Sequence, residues 1–486
     1  MDLTQAAKVF GRLPPIGEPI RILSIDGGGI YGLTAALWLE QMCKNDESFM
    51  NGDDIYLFVG CSSGACNAML LAMEKTPRDA ILRGKLRDFW HDGGVFTNSN
   101  PLENWLGNKG HVGYYGMNDF MDQLKAYMGD TTLEELPQQV LISTYDWHGR
   151  ETYPEMRRGH KEVYAHTDAL GVWGKLLEQL MPSTFSRSFI ESPPEPAERG
   201  LETFYEERRV TSNYRHWKPK FFSNMIDPTD DDYLIREIAY AAATPPGFRA
   251  IRSGLGDGAS FSANPSTHAI STVLRACQLA AAQLWVAGKN GGKPPTDEQL
   301  VDQSIEHADL VGELLMRIRM LSIGDGTRQP YYSLRDSNRG LESWGKHASN
   351  IWHGNIYPPT HYALQASDEE ATKVSSELLG FRYFRMNPPV MDLPTVSAAY
   401  YAKYPVIRAQ IINNVKSGVQ DTRSREAIKK AHEFLDSPFW DGSRDKAPAG
   451  RAAEMAAALK ALGIEPGSHV TAKKKSNKSN KNSKKV

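Results

Sequence analysis

Short apolar runs, each broken by a glycine-rich turn and followed by helical spacing, set the pattern of the first part of the chain. Arg21 to Ile25 (RILSI) is such a run. It ends in Asp26-Gly27-Gly28-Gly29, after which Leu33, Leu37, Leu39 and Met42 fall at near-helical spacing. This order predicts strand, glycine turn, helix. The pattern then repeats, with Ile55 to Val59 as a second apolar run, Gly60 to Gly64 as a turn of small residues and Asn67 to Met73 as a second helical start. Two such units in succession predict an α/β fold with a parallel sheet.

Further along, Val140 to Tyr145 (VLISTY), Lys220 to Ser223 (KFFS) and Met320 to Ile323 read as buried strands. Between the first two, Trp147 to Trp217 is dense in Arg, Glu, Pro and aromatic residues, and Ser192-Pro193-Pro194-Glu195-Pro196 breaks any helix. That stretch is expected to be a surface insertion serving as a lid, an activator site or a homo-oligomer contact. After Gly326 the pattern turns mainly helical, with Ala427 to Leu435 and Ala452 to Leu462 as alanine-rich amphipathic segments. Lys473, Lys474, Lys475, Lys478, Lys481, Lys484 and Lys485 then alternate with Ser and Asn. Such a tail cannot bury a core; it either solubilises the chain or adds attraction to an anionic surface. The expected organisation is an N-terminal segment 1–20, a catalytic domain 21–395 with the insertion 147–217, a helical region 396–466 and a disordered tail 467–486.

Composition narrows the picture only slightly. The chain has 486 residues, 41% hydrophobic and 23% charged, with a formal net charge of -2, the balance of an ordinary globular protein and not of a nucleic-acid binder. Four cysteines, Cys43, Cys61, Cys66 and Cys277, form no C-x-x-C pair, which favours a reducing, cytoplasmic setting. Met1 to Ile20 carries Asp2, Lys8, Arg12 and Glu18 in place of a secretory signal. Arg275, Gln278 and Gln283 interrupt the most apolar helical segment, Val273 to Val286, which leaves it short of the roughly 18 apolar residues of a membrane span. Any membrane is therefore expected to be met peripherally. No histidine falls in ligand spacing, and neither a metal nor a cofactor is expected.

Three motifs carry candidate chemistry. Gly60-Cys61-Ser62-Ser63-Gly64 fits G-x-S-x-G, and its place between an apolar run and a helix start favours an exposed serine nucleophile over a plain Gly-Ser turn. Asp26-Gly27-Gly28-Gly29-Ile30-Tyr31-Gly32 offers consecutive backbone N–H groups at the start of a helix, suited to an oxyanion. A nucleotide-phosphate loop is the competing reading, but neither G-x-x-x-x-G-K-[ST] nor the G-x-G-x-x-G register is met. Asp257-Gly258-Ala259 sits in a glycine-rich turn with Asn264-Pro265 just after it. Alone, that aspartate reads as a turn former. A serine nevertheless needs a base, and no rule requires a histidine.

Together these motifs resemble the patatin-like phospholipase family, in its bacterial form. VLISTYD (Val140 to Asp146), PKFFSN (Pro219 to Asn224), AAATPPGF (Ala241 to Phe248), LSIGDG (Leu321 to Gly326) and YFRMNPP (Tyr383 to Pro389) are similar to segments of that family. The resemblance implies a three-layer α/β/α sandwich with a mainly parallel central sheet and a helical C-terminal extension. It also implies a Ser-Asp dyad without histidine, with Ser62 as nucleophile, Asp257 as base and Gly27, Gly28 and Gly29 as the oxyanion loop. Asp26, Gly32, Gly60, Gly64, Gly258 and Ala259 complete the motifs. The implied substrate is a membrane glycerophospholipid, cleaved without a cofactor. A cyclic-nucleotide or protein activator is the implied regulatory partner, as in family members that act as anti-phage effectors. Tyr31, Ala65 and Asp325 depart from the family's usual residues at their positions. Two alternatives stand beside this one. One is an α/β-hydrolase esterase with a Ser-His-Asp triad drawing on His268 or His307, and the other is a non-catalytic anion-binding signalling module.

Overall fold

The computed structural model describes residues 6–92, 117–158, 218–290, 308–326, 359–390 and 405–461, with isolated positions at 95, 97, 99, 101 and 296. Short breaks fall at 8, 10, 12, 15–16, 52–54, 148, 150–151, 226–229, 246–252 and 446–449. The insertion from residue 159 to 217, the Lys-rich tail and His307 lie outside the described residues.

Among the described residues seven strands form one sheet: β1 (Ile20–Ile25), β2 (Leu57–Cys61), β3 (Gln139–Asp146), β4 (Lys218–Ser223), β5 (Leu255–Asp257), β6 (Ile318–Ile323) and β7 (Tyr383–Met386). Their order is β4-β3-β2-β1-β6-β7, with β5 paired to β3. The contacts among β1, β2, β3, β6 and β7 are parallel, whereas β4 and β5 run antiparallel to β3. Every residue of β2, β3 and β6 is buried, which explains why these strands read as continuous apolar runs and not as alternating ones. β4 exposes Lys218 and Pro219 at its start, a position where an edge strand tolerates proline.

The second strand begins two residues later than its apolar run and continues through Gly60 and Cys61. Ile25 pairs with Gly60 on one side, and Ile142 and Ser143 pair with Gly60 and Cys61 on the other. A ladder on both edges outweighs the poor strand propensity of glycine, and the turn contracts to Ser62.

Helices cover both faces. One face carries α1 (Gly32–Asn45), α2 (Ser63–Ala72), α3 (Lys85–His91), α4 (Met117–Met128) and α5 (Ile235–Ala242), packed around Trp38, Phe58, Phe89, Phe120 and Tyr240. The other face carries α6 (Ser266–Lys289) and α7 (Ala308–Arg317), around Ile22, Leu57, Val273 and Met320. α8 (Pro359–Leu379) leads into β7. Of the C-terminal helices, α9 (Pro405–Val419) and α10 (Thr422–Leu435) join the first core, and α11 (Gly450–Ala461) joins the second. The result is the α/β/α sandwich with a mainly parallel sheet and C-terminal helices.

α6 corrects one expectation. Its stretch Ser266–Gly288 is 23 residues long, and by length and composition alone it is apolar enough to cross a membrane. Most of it is buried, with 67% of the qualifying window inside the protein, and Val273, Ala276, Cys277, Ala280 and Leu284 pack in the second core. The apolar stretch thus serves the sheet.

Candidate active site

The backbone changes direction at Ser62, between the last residue of β2 and the first of α2. Ser62 has φ 50° and ψ -122°, a conformation that L-residues adopt only under constraint from their surroundings. The flanking glycines supply that constraint by allowing close approach. A Cβ at Gly60 would stand 2.4 Å from the Gly64 carbonyl oxygen, and one at Gly64 would stand 2.2 Å from that of Ile25. The first turn of α2 therefore rests on the ends of β1 and β2, and the serine projects at the C-terminal edge of the sheet.

Asp257 reaches the same place through β5. β4 occupies one edge of β3 from Leu141 to Asp146, and β2 occupies the other only as far as Ser143. β5 then takes over the edge that β2 leaves, with Asp257 opposite Thr144. This succession brings together two residues 195 positions apart: Ser62 Oγ donates to Asp257 Oδ2 at 2.7 Å. The second carboxylate oxygen accepts the Ala259 N–H at 2.8 Å. Turn former and serine partner are thus one residue, with an oxygen for each role. Gly258 is needed because a Cβ there would meet the Ser143 carbonyl oxygen at 2.6 Å. Ser62 is 7% exposed and Asp257 1%, the water-poor setting that a carboxylate base for a serine hydroxyl requires.

Two neighbouring groups, Cys61 and His268, are held towards their neutral forms. Burial, and after it the Asp257 carboxylate, push the Cys61 thiol well up, so it stays protonated and donates to the Ser262 carbonyl oxygen at 3.4 Å. His268 packs its ring against Phe221 and Phe261, with centroids 5.4 and 5.0 Å away, and burial pushes it down towards the neutral form. The Ser62 hydroxyl hydrogen-bonds to Asp257 and, among the described residues, to no histidine.

The glycine loop after β1 lies against this turn, and a Cβ at Gly27 would come 2.8 Å from Ser62 Cβ. Its N–H groups are not equivalent. Gly27 N–H donates to the Ala263 carbonyl oxygen at 2.9 Å and Gly28 N–H to Ser63 Oγ at 2.9 Å. Gly29, at φ 57°, makes no N–H hydrogen bond among the described residues. Gly32 packs on Trp90, and its carbonyl oxygen accepts from Asn67 Nδ2 at 2.9 Å, which locks α1 to α2. Asp26 is buried and paired with Arg385 of β7, which donates to Asp26 Oδ1 at 2.8 Å, to Oδ2, and to Ser322 Oγ at 2.7 Å. Burial pushes the Asp26 carboxyl up, and the Arg385 guanidinium opposes that rise.

Sequence patterning does not point to Arg385, Asn67 or Ser63 as members of this site. Arg385 alone leaves a trace, as a charged residue inside the short apolar segment YFRM that calls for a buried partner.

A strained, buried serine bonded to a carboxylate, beside backbone N–H groups, can attack a carbonyl carbon, pass its proton to the carboxylate and hold the resulting oxyanion. The fold is an α/β/α sandwich with this serine turn at the C-terminal edge of its sheet. The chain belongs to the patatin-like phospholipase family, whose sequence profile matches residues 23–270, and the family is one of lipid acyl hydrolases. Patatin-like protein 2 of Arabidopsis thaliana is 30% identical over 148 residues, 27% of this chain and 35% of its own length. Patatin-17 of Solanum cardiophyllum is 30% identical over 158 residues, 30% of this chain and 37% of its own length. The chain thus matches little more than a third of each of these relatives.

Proposed function

We propose that this protein is a serine acyl hydrolase that cleaves fatty acyl esters of membrane glycerophospholipids through a Ser62–Asp257 dyad. The observation that carries this reading is the 2.7 Å bond from Ser62 Oγ to a nearly inaccessible carboxylate, made at a strained strand-to-helix turn. Family membership supplies the lipid ester as substrate class.

In this mechanism Asp257 takes the Ser62 proton as the hydroxyl oxygen attacks the ester carbonyl carbon. The tetrahedral oxygen is received by backbone N–H groups of the glycine loop, and Asp257 returns the proton to the departing lysolipid alcohol. Water, deprotonated by the same carboxylate, then releases the fatty acid from Ser62. We assign the oxyanion to Gly28 and Gly29. The Gly27 N–H is engaged by Ala263, so Gly27 acts as the loop's anchor. Gly28 N–H, held by Ser63 Oγ in the resting site, exchanges that bond for one with the oxyanion. In this reading lipid is met at the surface of the protein.

A fluorophosphonate probe followed by peptide mass spectrometry tests the reading. The expected adduct is on Ser62 and forms far more slowly in Asp257→Asn. Labelling at another serine, or an unchanged rate in Asp257→Asn, would remove the dyad.

A further inference from the structure

The turn that follows Asp257 is clamped from outside the region that matches the family. Ser367 Oγ donates to the Phe261 carbonyl oxygen at 3.1 Å, and Thr267 Oγ1 to that of Ala371 at 2.9 Å. Between these contacts, a single oxygen of Asp368 on α8 gathers three donors. Asp368 Oδ1 accepts from Ser262 Oγ at 3.1 Å, Ala263 N–H at 2.7 Å and Asn264 N–H at 2.9 Å. Asn264 Nδ2 answers with bonds to Thr372 Oγ1 at 2.9 Å and to the Asp368 carbonyl oxygen at 3.3 Å.

Two of these three residues, Ser262 and Ala263, face the Ser62 site on their other side. The Ala263 carbonyl oxygen holds the Gly27 N–H, and the Ser262 carbonyl oxygen receives the Cys61 thiol next to Ser62. Through this turn α8 therefore touches both the glycine loop and the strand end that presents the nucleophile. Asp368 has no cation paired with it among the described residues. Burial, and after it the charge of Asp26, push its carboxyl up to about 6. Its contribution is the placement of one acceptor oxygen among three donors.

We infer that Asp368 is a positioning residue for the Ser62 centre, fixing the 262–264 turn so that Ala263 holds the glycine loop in register with the nucleophile. The inference rests on the proposed hydrolase reading for its kinetic consequence, and on geometry alone for its structural one.

Two measurements on the full-length chain test it, with Asp368→Asn, Asp368→Glu and Asp368→Leu beside wild type. The first is hydrolysis of a short-chain p-nitrophenyl ester. Asn keeps the acceptor oxygen in place and is expected to stay within about twofold of wild-type kcat. Glu keeps the charge but shifts the oxygen by one methylene, and Leu removes it; these are expected to lose about tenfold and up to about a hundredfold in kcat, with KM little changed. The second is amide hydrogen exchange of peptides covering residues 26–32, expected to quicken about tenfold or more in Leu and Glu but not in Asn, while β6 peptides stay protected. Exchange and kcat unchanged in Leu would overturn the inference, as would an active Glu variant beside an impaired Asn one. A wild type without esterase activity would count against the hydrolase reading only, because the exchange comparison still decides whether Asp368 holds the loop. Asn and Glu differ from Asp by one atom group each, so the comparison survives even if Leu fails to fold.

Discussion

The turns after β1 and β2 are both glycine-rich and both lead into a helix, yet they are held by different means. The turn at Ser62 is held by backbone packing, with Gly60 and Gly64 letting α2 sit directly on the strand ends. The turn at Gly27–Gly29 is held by groups distant in sequence: Arg385 on Asp26, the Ala263 carbonyl on Gly27 and Ser63 Oγ on Gly28. The first geometry needs only the 60–64 turn and the adjoining end of β1. The second depends on α8 and β7, which close the fold some 330 residues later. Ser62 is thus set by contacts among the first two strand-turn-helix units, and the glycine loop beside it is aligned by β7.

This contrast can be broken at several points, beginning with the largest expected effect. Arg385→Leu leaves the buried Asp26 carboxylate without its partner and should cost about 3–5 kcal/mol in chemical denaturation. A loss well under about 1 kcal/mol would mean that the glycine loop holds itself. Gly28→Ala places a Cβ 2.5 Å from Asp325 Cβ and so moves the loop. Losing one oxyanion donor is worth about 2.7–4 kcal/mol in the barrier, so ester turnover should fall by about 10²–10³, the main readout of this variant.

Gly64→Ala should behave in the opposite way. Its Cβ would strike the Ile25 carbonyl oxygen at 2.2 Å, a backbone atom that cannot rotate aside, and overpacking of this kind costs about 1–3 kcal/mol in stability. A lowered Tm is the expected result, and an unchanged Tm would deny that backbone packing holds the Ser62 turn. The smallest effect belongs to Asp368→Asn. In the folded protein burial raises the Asp368 carboxyl from 3.8 to about 6, with Asp26 as the like charge beside it. Its contribution to stability is therefore fully present below pH 3.8 and declines as pH rises to about 6. Asn does not titrate, so its stability relative to wild type should rise across that window. A flat difference from pH 4 to 7 would show that Asp368 is not held in this environment.

The same contrast explains what the sequence could and could not reveal. β1, β2, β3 and β6 were legible as apolar runs because both faces of the sheet are covered. β5 was not, since three residues, Leu-Gly-Asp, carry no periodicity; its position follows from the edge of β3 that β2 leaves open. Asp257 could be singled out only through its motif and the family resemblance, because an aspartate in a glycine turn has an ordinary local role, which it also fills here towards Ala259. Asp368 lies in Ser-Asp-Glu-Glu, which reads as a solvated helix face. Nothing local marks it as the residue of that run that faces inward, and only the packing of α8 against the 261–267 turn does so.

The most direct test of the central claim is fatty acid release from phosphatidylcholine and phosphatidylglycerol liposomes by wild type, Ser62→Ala and Asp257→Asn. The account predicts release by wild type and a loss of more than about a thousandfold in both variants, each correctly folded. Release by Asp257→Asn at the wild-type rate, with Ser62→Ala silent, would contradict it and require another base for the serine.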